Sequence, residues 1–189
     1  MRKIFAKFIL ETVWGFRVEP VYPKEVKKSV IVAMPHTSNW DFLIGILLRP
    51  ALDLDTHFAG KNSLFFFPLG TIMRWWGGVP VERSKKTNFV DAVAKFFEGK
   101  ESYKITIAPE GTRSKVTQLR TGFYYIAIKA NVPIVCCKFD FGNKVVGFSQ
   151  PFYPTGDYDK DLPHILAYFK DVKGLYPEYQ YDIEQHLIH

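Results

Sequence analysis

Short apolar runs rich in β-branched residues alternate with helix-like segments along most of this chain, and the alternation limits the folds it can adopt. Residues 30–34 form such a run, and residues 39–48 then have helical character that ends before Pro50. The same order recurs at residues 105–108 and 122–130. Strands separated by helices pair in parallel, because each helix returns the chain to the same end of the sheet. We therefore predict a single α/β domain with a central, mostly parallel β-sheet flanked by helices.

The remaining elements follow the same pattern with weaker signals. Further strands are predicted at residues 57–60, 79–81, 134–141 and 145–148. Further helices are predicted at residues 87–98, 163–173 and 178–188, and one begins near Pro68 within the aromatic segment 61–76. The chain of 189 residues, 47% of them hydrophobic, is long enough for one substantial core. We divide it into an amphipathic N-terminal segment, residues 1–27, and a main domain, residues 28–189.

The N-terminal segment carries most of the positive charge. The chain has a formal net charge of +6, and residues 1–30 hold seven basic and three acidic side chains. At about 100° per residue, an apolar face forms in residues 2–16 from Phe5, Phe8, Ile9, Thr12, Val13 and Phe16. Two interpretations stay open, a helix packed on the core and a helix in the membrane interface, which Trp14 and the basic flank favour. We expect no spanning helix and no signal peptide, because charged residues interrupt every apolar run.

The loop at residues 35–41 joins a predicted strand to a predicted helix and carries the first candidate site. His36 and Asp41 are five positions apart, so they meet only if the loop curls back before the helix begins. In one interpretation Asp41 accepts a hydrogen bond from His36, whose other ring nitrogen then takes a proton from a hydroxyl. In the other, Ser38 caps the helix and Asp41 completes an S-x-x-D capping box. The two roles are compatible, since a helix N-terminus favours an ionised carboxylate.

Two further loops follow predicted strands and carry groups that bind anions. One loop contains Glu110, Gly111, Thr112 and Arg113, and Arg83 follows the strand at residues 79–81. Arginine binds phosphate with a planar fork, and glycine lets the backbone approach a ligand closely. Parallel strands gather their carboxyl ends at one edge of a sheet, so we expect these groups near His36.

Several other kinds of site are not indicated. Ser149 lacks the second glycine of a nucleophile elbow, and the adjacent Cys136 and Cys137 lie in an apolar run typical of buried, reduced thiols in an intracellular protein. The sequence contains no G-x-G-x-x-G motif, no metal-type cluster of Cys and His, and no nucleic-acid-binding motif. We therefore expect no metal, no bound cofactor and no nucleic-acid partner. A His–Asp pair without a nucleophile suits direct attack by a hydroxyl on an activated acyl group.

Four short motifs occur together in one order. H-x4-D spans His36 to Asp41, a glycine-to-arginine motif spans residues 78–83, E-G-T-R-S spans residues 110–114, and V-P-I-V spans residues 132–135. In these motifs and their spacing the chain resembles the glycerolipid acyltransferases of the 1-acylglycerol-3-phosphate acyltransferase (PlsC-like) type. The resemblance covers roughly residues 28 to 140. It implies a PlsC-like acyltransferase fold for the main domain.

The resemblance also implies an O-acyltransferase activity with assigned residues. His36 would be the general base that deprotonates the acceptor hydroxyl, with Asp41 orienting it. The acceptor and phosphate site would comprise Arg83, Glu110, Gly111, Thr112 and Arg113. The implied donor is acyl-CoA or acyl-carrier protein, used as co-substrate, and the implied acceptor is lysophosphatidic acid or a related lyso-lipid. We expect a peripheral protein on the cytoplasmic face of the membrane.

An alternative from a different class is also open. A non-catalytic module that binds a membrane surface or another anionic ligand would use the basic N-terminus and leave the His–Asp pair without a chemical role. Release of free thiol from an acyl thioester distinguishes the two, because only the enzyme cleaves its donor.

Overall fold

One central sheet organises the structure. The computed structural model describes residues 2–81 and 86–187 of the chain, with only the backbone at residues 86–88. The strands of the sheet are β1 (Arg17–Val18), β2 (Lys28–Met34), β3 (Thr56–Lys61), β4 (Gly78–Val81), β5 (Tyr103–Ile107), β6 (Ile134–Asp140) and β7 (Val145–Phe148). Their spatial order is β1-β7-β6-β2-β5-β3-β4, and every neighbouring pair is parallel except β6 and β7. The predicted α/β fold with a mostly parallel sheet is confirmed.

Helices occur between most of the strands. They are α1 (Arg2–Lys7), α2 (Asn39–Leu52), α3 (Leu69–Trp75), α4 (Lys86–Ala94), α5 (Gly122–Ala130), α6 (Tyr158–Ala167) and α7 (Glu184–Leu187). Single 3-10 turns are formed by Asn62–Leu64, Lys95–Phe97 and Pro177–Tyr179, and α1 continues into the π-helical segment Phe8–Val13. The predicted bounds of α5 and β7 are confirmed. The short strand β1, which pairs with β7, is not part of the prediction.

The helices cover both faces of the sheet, which explains the unbroken apolar run in β2. On one face Val30, Val32 and Met34 share a buried cluster with residues of α4, α5 and α6. On the other face Ile31 and Ala33 share a cluster with residues of α1 and α2. Alternate side chains of a strand point to opposite faces, so a central strand buried on both faces is apolar throughout.

Helix α2 is longer than predicted and includes Pro50. It ends at Leu52, and Asp53 follows in the left-handed conformation with a φ of 56°. A proline inside a helix costs about 3 kcal/mol or more, because it removes one hydrogen bond and crowds the preceding turn. Leu48 and Ala51 are buried on either side of Pro50, and we attribute the extra turn to their packing in the core.

The predicted helices near the C-terminus have the wrong bounds. Helix α6 begins at Tyr158 rather than Pro163, because the Asp157 side chain caps it by accepting a hydrogen bond from the Lys160 N–H. Proline is favoured in the first turn of a helix, so the prediction began this helix at Pro163, five residues after its actual start. The region predicted as a helix at residues 178–188 forms the 3-10 turn Pro177–Tyr179 and, separately, α7.

The N-terminal segment departs from regular α-helical periodicity. Ala6, Leu10 and Phe16 are buried, whereas Ile4, Phe5, Phe8 and Val13 are exposed. The π-helical segment widens the turn. Phe5, Phe8 and Val13 of the predicted apolar face point to solvent, whereas Phe16 of that face packs on the core together with Ala6 and Leu10. Within the described part of the chain, no helix is both long and apolar enough to cross a membrane.

A buried hydrogen-bond network connects α5 to the start of α6. The Tyr124 hydroxyl donates to Asp161 Oδ2 at 2.6 Å and accepts from the Gly156 N–H at 3.0 Å. Asp161 also accepts from the backbone N–H and the hydroxyl of Thr155. Tyr124 and Asp161 are both buried, so water does not replace a hydrogen bond that this network loses. Removal of one polar atom therefore leaves its buried partner unsatisfied.

We expect Tyr124→Phe to lower the free energy of unfolding by about 1.5–3 kcal/mol, the usual contribution of a hydrogen bond to a charged group. Urea denaturation measures the loss. Tyr125→Phe is the matched control, because the neighbouring Tyr125 is exposed and should change stability by less than about 0.5 kcal/mol. Equal stability of the two variants would contradict a structural role for this network.

Candidate active site

Two predicted loops lie side by side because the strands before them are neighbours. β2 and β5 pair in parallel, with Val32 opposite Ile107 near their carboxyl ends. Residues 35–41 and 108–114 therefore leave the sheet at the same edge. The backbone N–H of His36 donates to Glu110 Oε2 at 2.8 Å and joins the two loops directly.

Asp41 is the centre of the first loop. Its Oδ2 accepts a hydrogen bond from the Ser38 N–H at 2.9 Å, and its Oδ1 accepts from the Ser38 hydroxyl at 3.0 Å. The Ser38 Oγ in turn accepts from the Trp40 N–H at 3.1 Å, and Ser38 and Asp41 form the reciprocal capping box at the start of α2. Asp41 is therefore fixed by the cap that starts the helix.

The same carboxylate contacts the His36 ring. Nδ1 of His36 lies 3.1 Å from Asp41 Oδ2. A carboxylate can only accept, so this contact places the proton on Nδ1 and leaves the lone pair on Nε2. The His36 side chain is 18% exposed and that of Asp41 only 1%, so the aspartate is covered while the imidazole keeps access to solvent. Capping and orientation of the imidazole, both considered from the sequence, occur together.

Glu110 is buried against the loop of His36. It is 3% exposed, and its second oxygen, Oε1, is buried with no hydrogen-bond partner among the described residues. Burial raises the pKa of Glu110 to about 8, with a smaller contribution from Asp41. The N–H groups of His36 and Tyr181 act in the opposite direction and lower the pKa, although the Tyr181 N–H does not meet hydrogen-bond geometry with Oε1. The Glu110 carboxyl thus holds the backbone of the His36 loop.

A pocket of about 380 Å³ lies beside this loop. It is lined by Thr37, Ser38, Asn39, Trp40, Arg113, Ser114, Tyr176 and Tyr179. Among the described residues of this lining Arg113 is the charged one, and the others offer hydroxyls, an amide and aromatic rings but no carboxylate. An anionic group suits such a pocket, because the arginine fork and the hydroxyls all donate hydrogen bonds.

Of the predicted substrate-binding residues, Gly111 and Thr112 lie on the same loop as Arg113 but are not among the residues that line the pocket. Gly111 has a φ of 66°, a left-handed conformation that favours glycine, and the Arg120 side chain lies against the space that a Cβ would occupy. The Thr112 hydroxyl accepts a hydrogen bond from the Ser114 N–H at 3.3 Å, within the exposed part of the loop. Arg83 lies outside the described residues. The strand before it, β4, is separated from β5 by β3.

The three nucleophiles considered from the sequence, Cys136, Cys137 and Ser149, do not line this pocket. Burial raises the pKa of the Cys136 thiol to about 12 and that of Cys137 above its usual range, which disfavours the reactive thiolate. The Ser149 hydroxyl accepts from the Cys136 N–H and donates to the Gln150 carbonyl. Among the residues that the structure describes, no group of three or more His, Cys, Asp and Glu side chains could hold a metal ion.

Two pocket residues come from a part of the chain without a predicted site. Tyr176 and Tyr179 follow α6, far in sequence from the loops at residues 35–41 and 108–114. The sequence does contain a repeated tyrosine at positions 176, 179 and 181. The prediction assigned residues 178–188 to a helix and drew no binding site from this repeat. A second cavity, of about 440 Å³, is lined by Lys3, Lys7, Lys24 and Lys104 together with residues at the end of α2, and contains none of the predicted catalytic residues.

We expect Glu110→Gln to change how stability depends on pH. The folded protein holds a proton on Glu110 up to a pKa of about 8, whereas an ordinary glutamate releases it near 4.5. Between these values the folded state binds more protons than the unfolded state, so the free energy of unfolding of the wild type falls as the pH rises. The Glu110→Gln variant lacks this pH-dependent loss. Its free energy of unfolding relative to that of the wild type should therefore rise by up to a few kcal/mol between the two pKa values.

Urea denaturation of both proteins at several pH values between about 4.5 and about 8 measures this difference. Glu178→Gln is the control, because Glu178 is exposed and its removal should leave the pH profile of the wild type unchanged. Parallel profiles for Glu110→Gln and the wild type would contradict a raised pKa at this position.

Comparison with known proteins relates the chain to one family. A family model described as Acyltransferase matches residues 16–140. The 1-acyl-sn-glycerol-3-phosphate acyltransferase beta of Homo sapiens is 25% identical over 150 residues, which cover 76% of this chain and 53% of that protein. The 1-acyl-sn-glycerol-3-phosphate acyltransferase of Salmonella typhimurium is 29% identical over 147 residues, covering 72% of this chain and 58% of the relative. The chain thus spans slightly more than half the length of these relatives.

The fold has a counterpart among solved structures. The 1-acyl-sn-glycerophosphate (LPA) acyltransferase PlsC from Thermotoga maritima superimposes with a TM-score of 0.54 at 20% sequence identity, over 82% of this chain and 69% of that one. This likeness supports the architecture, and the family model spans the loops that carry His36, Asp41 and Glu110 to Arg113. The chain belongs to the acyltransferase family.

Proposed function

We propose that this protein is an O-acyltransferase that moves a fatty acyl group from acyl-CoA or acyl-carrier protein to a hydroxyl of lysophosphatidic acid or a related lyso-lipid. The observation that carries the proposal is the His36–Asp41 pair beside a pocket lined by Arg113. The names of the relatives, which are 1-acyl-sn-glycerol-3-phosphate acyltransferases, support the acceptor class.

The proposed reaction is a direct transfer with His36 as general base. Nε2 takes the proton from the acceptor hydroxyl while the hydroxyl oxygen attacks the thioester carbonyl carbon. The new C–O bond forms, the C–S bond breaks, and the departing thiolate receives the proton from the imidazolium. Asp41 keeps the Nδ1 proton in place throughout and stabilises the positive charge that develops on the ring.

In this proposal the acceptor is held by its phosphate. Arg113 offers two parallel N–H donors to the phosphate oxygens, and Ser114 and Thr37 contribute hydroxyls to the same pocket. Gly111 permits the sharp turn that carries Arg113, and Thr112 braces that turn through the Ser114 N–H. Glu110 supports the His36 loop from within the protein. Arg83 remains a proposed phosphate ligand on the ground of its motif.

We also propose that the protein docks peripherally on the cytoplasmic face of the membrane through an N-terminal apolar patch. The patch consists of Ile4, Phe5, Phe8 and Val13, with Ile72 and Trp75 of α3. The Arg2 guanidinium lies 5.8 Å from the centre of the Trp75 ring and links the two parts. Exposed apolar side chains flanked by lysines are typical of a protein that contacts anionic lipid.

The patch is connected to the pocket through two tryptophans. The rings of Trp14 and Trp40 meet edge to face with their centres 5.4 Å apart. Trp14 follows the π-helical segment of the patch, and Trp40 lines the pocket. Lys3 and Lys7 of α1 line one cavity with Lys24, and these lysines can attract acidic headgroups. A lipid acceptor can therefore reach the pocket from the bilayer along this side.

The first test is His36→Ala, measured by release of free thiol from acyl-CoA with lysophosphatidic acid as acceptor. We expect turnover to fall by about 10²- to 10⁴-fold, the usual contribution of a general base. His164→Ala is the control, because His164 is exposed on α6 and should keep wild-type turnover.

The outcomes separate the two classes of function. Wild-type turnover in a folded His36→Ala protein would exclude His36 as the base. A wild-type protein that binds anionic vesicles and releases no thiol with any lyso-lipid or either donor would favour a non-catalytic binding module.

A second test concerns the membrane. Ile4→Asp should weaken binding to vesicles that contain anionic lipid by about tenfold or more, since burial of an isoleucine side chain is worth about 1.5–3 kcal/mol. Vesicle co-sedimentation measures the change. Ile128→Asp is the matched control, because Ile128 is exposed on α5, which covers the other face of the sheet from α1. Equal binding by the two variants would contradict docking through the patch.

A further inference from the structure

Residues 172–181, which we call the C-terminal strap, pack against the loop of His36. The Tyr176 N–H donates to the Thr37 hydroxyl oxygen at 3.3 Å, across a separation of 139 residues. Gly174 lies so close that a Cβ there would be 2.7 Å from Thr37 Oγ1 and 3.1 Å from Pro35 Cγ. The strap is therefore seated directly on the residues that flank His36.

The strap is held in one conformation by a side chain of its own. Gln180 Nε2 donates to the Val172 carbonyl at 2.8 Å, and Gln180 Oε1 accepts from the Gly174 N–H at 3.1 Å. Val172 and Tyr181, at its two ends, are buried. A loop closed by such bonds and anchored at both ends presents its exposed side chains in fixed positions, as a binding site requires.

Two exposed tyrosines of the strap face the pocket of Arg113. Tyr176 and Tyr179 both line it, with their ring centres 5.9 Å apart, and they are 44% and 46% exposed. Neither hydroxyl forms a hydrogen bond with any described residue. Both are therefore available to a ligand in the pocket.

The chemistry of the lining selects the kind of ligand. A phosphate group offers several oxygens that only accept hydrogen bonds, and a single arginine fork satisfies two of them. The remaining oxygens need neutral donors, which tyrosine hydroxyls supply. A cationic headgroup would need a carboxylate, and the lining residues that the structure describes include none.

We propose that Tyr176 and Tyr179 determine acceptor specificity, by donating hydrogen bonds to the phosphate oxygens of an acceptor that Arg113 binds from the E-G-T-R-S loop. The proposal rests on the proposed acyltransferase function and extends it to residues beyond the matched region 16–140. The strap forms the wall of the acceptor site that the shared motifs do not supply.

The test is the double variant Tyr176→Phe, Tyr179→Phe, which keeps both rings and removes both hydroxyls. We expect the KM for lysophosphatidic acid to rise at least about tenfold, the effect of losing hydrogen bonds to a charged group. The kcat at saturating acceptor and the KM for acyl-CoA should stay at wild-type values. Tyr153→Phe is the matched control, a tyrosine that is 68% exposed and does not line the pocket.

A binding measurement keeps the proposal independent of turnover. Calorimetric titration with lysophosphatidic acid and with glycerol 3-phosphate gives the dissociation constant of each probe for both proteins. We expect the double variant to bind at least one of them about tenfold more weakly, and the probe affected identifies the source of the phosphate. Monoacylglycerol, which lacks the phosphate, should show no difference between the two proteins.

The outcomes distinguish this inference from the proposed function. In one outcome the wild type has no transferase activity but binds the phosphate probes, and the double variant loses this binding. That outcome would refute the proposed function and sustain the role of the tyrosines. Active transfer with unchanged KM and unchanged dissociation constants would refute the role of the tyrosines alone. Failure of the wild type to bind either phosphate probe would also overturn the inference, as would equal weakening with monoacylglycerol.

Discussion

The hydrogen bonds accepted by Asp41 are the interaction on which the whole site depends. One carboxylate caps α2 through Ser38 and holds Nδ1 of His36, so the start of the helix and the orientation of the imidazole are fixed together. Each hydrogen bond to a charged group contributes about 1.5–3 kcal/mol. Loss of this carboxylate would uncap the helix and free the ring at once. A buried aspartate at a helix N-terminus thus caps the helix and orients the imidazole through the same carboxylate.

The second carboxyl of the site, that of Glu110, binds the backbone N–H of His36 rather than its imidazole ring. Glu110 accepts a hydrogen bond from the His36 N–H, which lowers the pKa of the carboxyl. Burial of Glu110 outweighs this bond and raises its pKa to about 8. Its position follows from the pairing of β2 with β5, because two adjacent parallel strands end at the same edge. The motif that carries Glu110 also carries Arg113 into the pocket. One loop therefore holds the backbone of His36 from inside the protein and places an arginine in the pocket outside it.

The sequence predicted the sheet and the paired loops because both depend on local signals. An apolar run such as β2 and a capping pattern such as Ser38 to Asp41 are visible within a few residues. The extent of α2 past Pro50 and the placement of the strap were missed, since each depends on tertiary packing. The direction of the apolar face of the N-terminal segment stayed open in the sequence for the same reason. The contact between Thr37 and Tyr176 joins residues 139 positions apart, and no local pattern encodes it. Arg83, predicted from its motif, lies outside the described residues.

Trp40 joins the two proposed surfaces of the protein. It lines the pocket with Arg113 and the strap, and its ring contacts Trp14 at the end of the N-terminal apolar patch. A lyso-lipid has an acyl chain that favours the bilayer and a phosphate that favours water, so its acceptor hydroxyl lies at the boundary between them. On the proposed function, the chain of the acceptor stays with the patch, its phosphate binds between Arg113 and the strap tyrosines, and His36 acts on the hydroxyl between these ends. The acceptor then never has to leave the membrane surface, and the choice of acceptor can change through the strap while the His36–Asp41 pair stays the same.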